Sequence, residues 1–232
     1  MMNKNSEKLD LSKKSAGDAA AEYVKNNMVV GLGTGSTVKY TIKKLGERIR
    51  NENLNIIGIP TSIDTEKLAK KEGILLSTLD EHPIIDLDID GADECDKNFN
   101  LIKGGGGAHT REKIVAVASK KFIVVADSSK KVEKLGAFAL PVEVLKSDVE
   151  FVKNELIKLG GKPALRKKEG KDIIVTDNGN YILDTKFEIN NPLEMELKLN
   201  SIPGVVDNGL FAVRKPEIVI FADGCEIEIL EK

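Results

Sequence analysis

MVVGLGTGST, residues 28–37, joins a short apolar run to the start of a helical pattern. We expect a strand over 28–31, a glycine turn, and a helix over 36–50. Glycine lets the backbone turn with positive φ and approach a ligand closely, and amide groups at a helix start attract an anion. The stretch therefore predicts a phosphate site where a strand meets a helix, although a plain turn capped by Ser36 fits the same residues.

Two common nucleotide motifs are absent from this stretch. The Lys-Ser/Thr pair of a Walker loop is missing, and the third glycine of a dinucleotide fingerprint is not at the required position. The hydroxyls of Thr34, Ser36 and Thr37 instead favour a monophosphate ester as the ligand.

An acidic strand is predicted further along the chain, over 84–90. Its alternation places Asp86, Asp88 and Asp90 on one face, and Asp93 follows after a glycine. Ligands bind at the carboxyl ends of strands in open parallel sheets. We therefore expect Asp90 and Asp93 to be functional, and Asp86 and Asp88 to be structural.

A run of four glycines, Gly104–Gly107, follows Lys103 and precedes a predicted helix over 110–119. Consecutive glycines carry a large entropic cost in an ordered loop, so they indicate a backbone that lines something. Thr110 is expected to cap the helix, with Glu112 in its first turn. An acid there has an ordinary role in stabilising a helix start, but the neighbouring lysine, acids and glycine loop favour a functional role.

The alternation of helices and strands over the first half predicts an α/β fold with a doubly wound, Rossmann-like, mostly parallel sheet. Past Gly136 the pattern changes to strands over 141–145, 164–168, 172–176 and 181–187, with a Glu-Gly-Lys turn at 169–171. Helices are expected after Ser147 and from Pro192. We predict a catalytic domain of 1–137 plus 208–232. A smaller α+β, ferredoxin-like domain is predicted over 138–207, with a role in oligomerisation.

The composition excludes several classes of protein. The 35 basic and 37 acidic residues of the 232-residue chain give a net charge of −2, which does not favour nucleic acid or an anionic membrane. The apolar runs are too short to span a membrane. The two cysteines form no disulfide framework, and neither histidine, His82 or His109, has the spacing of a metal site. We therefore expect a cytoplasmic protein with a small-molecule partner.

Four motifs together resemble the type A ribose-5-phosphate isomerase family in order and spacing. They are Gly-Thr-Gly-Ser-Thr at 33–37, Asp-Gly-Ala-Asp-Glu at 90–94, Lys-Gly-Gly-Gly at 103–106 and Thr-Arg-Glu-Lys at 110–113. The Asp-Ser-Ser-Lys sequence at 127–130 also fits, and the resemblance covers essentially the whole chain.

The resemblance implies that the protein interconverts ribose 5-phosphate and ribulose 5-phosphate, in the non-oxidative branch of the pentose phosphate pathway, with Glu112 as the proton acceptor. It also implies a homodimer or homotetramer. The substrate-binding residues it implies are Lys13, Thr34, Gly35, Ser36, Thr37, Asp90, Gly91, Ala92, Asp93, Lys103, Gly104, Gly105, Gly106 and Lys130.

The chemistry of an aldose–ketose isomerase agrees with these residue types. One base can move a proton between neighbouring carbons through an enediolate; we assign that role to Glu112, with Lys103 stabilising the oxyanion. Asp90 or Asp93 would handle hydroxyl protons and ring opening, and no metal or redox cofactor is expected. The alternatives are a related sugar-phosphate isomerase or deaminase and a non-catalytic sugar-phosphate sensor, which would need a DNA-reading module.

Overall fold

The computed structural model describes residues 4–168 and 172–232, which form two compact units. The first unit contains residues up to 92, 111–131 and 216–232, and the second contains 93–110 and 132–215. The sequence did not indicate that 93–110 would group with the second unit. The predicted boundaries of the smaller domain, 138 and 207, remain a prediction.

The elements are numbered in chain order. The helices are α1 (Lys4–Ala21), α2 (Val38–Glu52), α3 (Ile63–Lys71), α4 (His109–Ala118), α5 (Val149–Lys158) and α6 (Pro192–Asn200). The strands are β1 (Val29–Leu32), β2 (Ile57–Pro60), β3 (Leu75–Leu76), β4 (Ile85–Gly91), β5 (Glu94–Cys95), β6 (Leu101–Ile102), β7 (Ser119–Asp127), β8 (Leu140–Val144), β9 (Lys162–Leu165), β10 (Tyr181–Lys186), β11 (Val205–Asn208), β12 (Leu210–Phe211), β13 (Ile218–Asp223) and β14 (Glu226–Glu231).

The first unit contains a seven-stranded sheet in the order β14-β13-β7-β4-β1-β2-β3. Its strands run parallel except β14, which pairs antiparallel with β13. This confirms the predicted doubly wound, mostly parallel sheet. The strand order reverses between β1 and β4, which is where such sheets bind ligands.

Apolar residues of β1, β4, β7 and β13 pack with those of α1 and α2 to form the core of the first unit. The four strands are buried along most of their length, as expected for a parallel sheet with helices on its faces. This core fixes the carboxyl ends of β1, β4 and β7, where the predicted polar motifs begin.

The second unit contains a four-stranded antiparallel sheet in the order β11-β8-β10-β9. With α5 after β8 and α6 after β10, the chain follows the β-α-β-β-α-β order of a ferredoxin-like fold, as predicted. A separate three-stranded sheet has the order β12-β6-β5. Its strands β5 and β6 lie within 91–108, where no strand was predicted, and β12 pairs antiparallel with β6.

Four local predictions were wrong. The expected strand over 172–176 is reduced to an isolated bridge between Lys167 and Ile173, and the turn predicted at 169–171 lies outside the described residues. Ser147 does not cap α5: its hydroxyl donates to Asp148, which is the N-cap. Ser36 does not cap α2, which begins at Val38. Thr110 is not a cap either, because α4 begins at His109.

Candidate active site

The glycine turn in the first unit connects β1 to α2, and its hydroxyl groups are divided between the interior and the surface. The Thr34 hydroxyl lies 2.7 Å from that of Thr61 and donates to Ser62 at 2.8 Å. Gly35 and Ser36 are exposed, and Gly35 has φ +135° with open space where a Cβ would be. The exposed part of the turn therefore leaves room for an anion at the helix start.

Asp90, at the end of β4, is completely buried directly beside this turn. One of its oxygens, Oδ1, accepts hydrogen bonds from the amide groups of Thr34 at 3.0 Å and Gly91 at 2.7 Å. A Cβ at Gly33 would lie 2.2 Å from the Asp90 carboxyl group, so only glycine fits there. The amide of Thr34 thus holds Asp90 and is not directed at a phosphate.

The two earlier aspartates of β4, Asp86 and Asp88, make their described contacts within the first unit. Asp86 accepts a hydrogen bond from the amide of Val29 at 2.9 Å and one from Lys120 at 2.8 Å, which lowers its pKa, the Lys120 bond most. Asp88 is completely buried, and a Cβ at Gly31 would lie 2.5 Å from its Oδ1. Gly31 is therefore required by the packing of Asp88.

Glu112 lies in the first turn of α4 and is only 2% exposed. Amide groups in the first turn of a helix favour the ionised form of a carboxylate. On the same helix Val115 is buried, whereas Ile114 is 52% exposed. Burial distinguishes Glu112 from the exposed acids that commonly begin helices.

Lys130 and Lys13 also lie in the first unit. Lys130 ends a short 3₁₀ helix, Ser128–Lys130, that follows β7 and is capped by the side chain of Asp127. Lys13 lies in α1, and both lysines are half-buried. The structure therefore places Lys130 after the carboxyl end of a sheet strand, as predicted.

In the second unit, Asp93 is hydrogen-bonded to the backbone of the glycine loop. Oδ2 of Asp93 accepts a hydrogen bond of 2.7 Å from the amide of Gly105, and the Asp93 amide donates to the carbonyl of Ile102. A Cβ at Gly105 would lie 2.5 Å from Oδ1 of Asp93. The loop backbone therefore packs directly on this carboxylate.

Lys103 enters the glycine loop and is only 2% exposed. Its amide donates to the carbonyl of Gly209, and its ammonium group lies 5.5 Å from the centroid of the Phe211 ring. Gly104 has φ +101°, and a Cβ there would lie 2.7 Å from Nδ1 of the buried His109. His109 thus packs against the glycine loop.

Three hydroxyl residues that the sequence did not single out as site residues support the glycine turn. Thr61 donates to the carbonyl of Leu32 at 3.1 Å, and Thr65 donates to the carbonyl of Gly33 at 2.8 Å. Ser62 is the N-cap of α3, and its hydroxyl accepts a hydrogen bond from the amide of Thr65. The Thr-Ser-x-x-Thr spacing at 61–65 indicates the start of a helix. It does not indicate that these residues contact the end of β1, because that contact depends on the fold.

Among residues 4–168 and 172–232, no three His, Cys, Asp or Glu side chains are grouped as metal ligands. The helices within these ranges are too short or too polar to span a lipid bilayer.

Comparison with known proteins gives a consistent result. A sequence model of ribose 5-phosphate isomerase A (phosphoriboisomerase A) matches residues 57–224. Ribose-5-phosphate isomerase A of Methanosarcina acetivorans is 53% identical over 201 residues, 86% of either chain. Among solved structures, ribose 5-phosphate isomerase A of Methanocaldococcus jannaschii is 44% identical with a TM-score of 0.91, covering 96% of this chain and 99% of that one. A D-ribose-5-phosphate isomerase in complex with phospho-erythronic acid is 41% identical over 100% of both chains, with a TM-score of 0.93.

Proposed function

The chain belongs to the ribose 5-phosphate isomerase A family, and we propose that it interconverts ribose 5-phosphate and ribulose 5-phosphate through an enediolate. The observation that carries the proposal is the solved relative, 41% identical over the whole chain, with phospho-erythronic acid bound. That compound has a phosphate at one end and a carboxylate at the other. Its carboxylate resembles the paired oxygens of an enediolate, the species that an aldose–ketose isomerase must stabilise.

Glu112 is the proposed base. It removes the proton from C2 of the aldose, and the enediolate that forms takes the proton back at C1. Its burial in the first turn of α4 supports this role, because the carboxylate is shielded from water.

Lys103 is proposed to stabilise the negative charge that develops on the substrate oxygen. The side chain is almost completely buried, where a cation acts more strongly than in water. Asp90 and Asp93 are proposed to exchange protons with the substrate hydroxyls and to assist ring opening. They are separated by only Gly91 and Ala92, so their Cα atoms are at most about 11 Å apart along the chain.

The exposed residues of the glycine turn, Gly35 and Ser36, are proposed to bind the phosphate with Thr37, Lys130 and Lys13. Thr34 is proposed to act indirectly, because its amide and hydroxyl are bonded to Asp90 and Ser62. Gly91, Ala92 and the backbone of Gly104–Gly106 are proposed to complete the binding of the sugar. The Asp93–Gly105 bond supports a fixed geometry for that loop.

We further propose a cytoplasmic homo-oligomer. Cys225 is exposed, which fits a reducing compartment. In the second unit, Phe151 and Ile157 of α5 and Leu193 and Leu197 of α6 are all 47–56% exposed. Large apolar side chains exposed on the helices of the second unit favour an interface between subunits.

The reaction can be tested with purified protein and ribose 5-phosphate in D₂O, followed by proton NMR. The proposal requires a ketose phosphate to accumulate. Deuterium that exchanges from solvent onto the base during turnover should enter the ketose at C1, the carbon that takes up the proton. Release of ammonia from an aminosugar phosphate, with no ketose from ribose 5-phosphate, would support the deaminase alternative. Binding of ribose 5-phosphate without either reaction would support the sensor.

A further inference from the structure

Arg166 follows β9 in the second unit and reaches the backbone of the glycine loop. Its Nη1 donates to the carbonyl of Gly104 at 2.8 Å and to that of Gly105 at 3.2 Å. The rest of its guanidinium is held by Asp184 of β10, with Nε bonded to Oδ2 at 2.8 Å and Nη2 bonded to Oδ1. Arg166 therefore uses the planar fork of the guanidinium group to join a carboxylate to two loop carbonyls.

The Gly104 carbonyl and the Gly105 amide belong to the same peptide group. Arg166 binds the oxygen of this group, and Asp93 accepts a hydrogen bond from its N–H at 2.7 Å. Because a trans peptide is planar, fixing the direction of its oxygen also fixes the direction of its N–H. One continuous series of bonds thus runs from Asp184 through Arg166 and this peptide to Asp93.

The loop needs such support. Gly104 has φ +101° and Gly107 has φ +79°, and glycine has more backbone freedom to lose than any other residue. The guanidinium also polarises the peptide that it binds, which strengthens the N–H as a donor to the Asp93 carboxylate. The side chains of Arg166 and Asp184 are 11% and 27% exposed, so solvent weakens this pair less than it weakens a surface ion pair.

We propose that Arg166, oriented by Asp184, is a positioning residue of the isomerase that sets the direction of the 104–105 peptide and, through it, the place of the Asp93 carboxylate. The inference rests on the proposed function, in which Asp93 acts on the substrate. A purely structural role is the alternative, because Arg166 and Asp184 also join β9 to β10. The two roles differ in whether the effect of Arg166 depends on Asp93.

The test is a double-mutant cycle on kcat and KM with Arg166→Lys and Asp93→Asn. Lysine keeps the charge but cannot hold a carboxylate and two carbonyls at once. We expect Arg166→Lys alone to lower kcat by about 10- to 100-fold, the scale of a misplaced catalytic group. In the Asp93→Asn background the same change should lower kcat by less than about twofold, because the group it positions is already disabled.

Arg50→Lys is the matched control, because Arg50 also donates to a carbonyl and a carboxylate, both of Glu72, but lies in the first unit. Its kcat should stay within about twofold of that of the wild type. If Arg166→Lys does not fold, as judged by circular dichroism, Asp184→Asn takes its place in the same cycle.

An unchanged kcat in Arg166→Lys, or an equal loss with and without Asp93, would overturn the positioning role. A wild-type protein that does not turn over ribose 5-phosphate would overturn the proposed function instead, so the two failures can be distinguished.

Discussion

Thr176 donates a hydrogen bond of 2.8 Å from its hydroxyl to the carboxylate of Glu143, which is completely buried in β8. The same carboxylate accepts hydrogen bonds from Thr110, in the first turn of α4, and from the side-chain amides of Asn178 and Asn180. Burial raises the pKa of Glu143, but the donors, Thr110 most, and the nearby His109 outweigh it, so that the pKa lies below the ordinary value of 4.5. Glu143 is therefore an ionised group on which the turn at 176–180 and the start of α4 converge.

Glu143→Gln is expected to lower the free energy of unfolding by about 3 kcal/mol at pH 7, because an amide cannot accept all these hydrogen bonds and leaves buried donors unsatisfied. Because the pKa of Glu143 is lower in the folded state than in the unfolded state, its ionised form stabilises the fold at pH values above the unfolded-state pKa. This stabilisation is lost as the pH falls through the folded-state pKa. The difference in the free energy of unfolding between the wild type and Glu143→Gln should therefore become smaller below about pH 4.5. Urea unfolding of both proteins from pH 7 to pH 3 measures this difference. Glu150→Gln, at an exposed position of α5, is the control.

Glu112→Gln is expected to keep the fold and the binding of ribose 5-phosphate while turnover falls by roughly 100- to 10,000-fold, the effect of losing an acid–base group. The amide has nearly the shape of the carboxylate but cannot take up the C2 proton. Deuterium exchange in D₂O and calorimetric binding separate the two steps. Glu66→Gln, at a half-buried acid paired with Lys70 on α3, is the control. Near-normal exchange in Glu112→Gln would remove this residue from the mechanism.

Gly33→Ala is expected to displace Asp90 and to lower kcat/KM by at least about 10-fold, because the new Cβ would lie 2.2 Å from the Asp90 carboxyl group. Gly73→Ala is the control, because it introduces backbone strain without displacing a neighbouring side chain. Gly73 has φ +81° but open space around a Cβ, so alanine should cost about 1 kcal/mol of stability and leave turnover unchanged. Steady-state kinetics and thermal unfolding of both variants give the comparison. Equal kinetics for Gly33→Ala and the wild type would show that the position of Asp90 is not critical.

The parts of the fold that the sequence predicted are those with a local signal. The glycine turn between β1 and α2 and the Asn191-Pro192 start of α6 depend on residues within a few positions of each other, and both helices are present. By contrast, β6 has only two residues and exists because it pairs with β12, more than a hundred positions later. Short strands of this kind have no local signal. The edge strand β14 was also missed, although Asp223-Gly224 marks a turn before it.

In the candidate site, too, residues with a local sequence signal could be predicted and residues with distant partners could not. The type and order of residues in the motifs singled out Asp90, Asp93, Lys103 and Glu112 as candidates. Arg166 could not be predicted, because its partners, the carbonyls of Gly104 and Gly105, are more than sixty residues away and carry no side-chain signal. Thr110 was assigned as a cap because its local sequence fits one, whereas its hydroxyl is bonded to Glu143, a residue brought close only by the fold.

Phe151→Glu is expected to dissociate the proposed oligomer, because it places a charge among the exposed apolar side chains of α5. A loss of about 3 kcal/mol at one interface corresponds to roughly a hundredfold weaker association, enough to be seen by light scattering at micromolar concentrations. Leu75→Glu is the matched control: Leu75 is 64% exposed, but it lies on β3 in the first unit, so the mass in solution should not change.

Dissociation by Leu75→Glu alone would instead place the interface at the edge of the parallel sheet. A monomeric wild type would exclude the oligomer altogether. If Phe151→Glu is monomeric and retains kcat, each subunit carries out the isomerisation with its own residues.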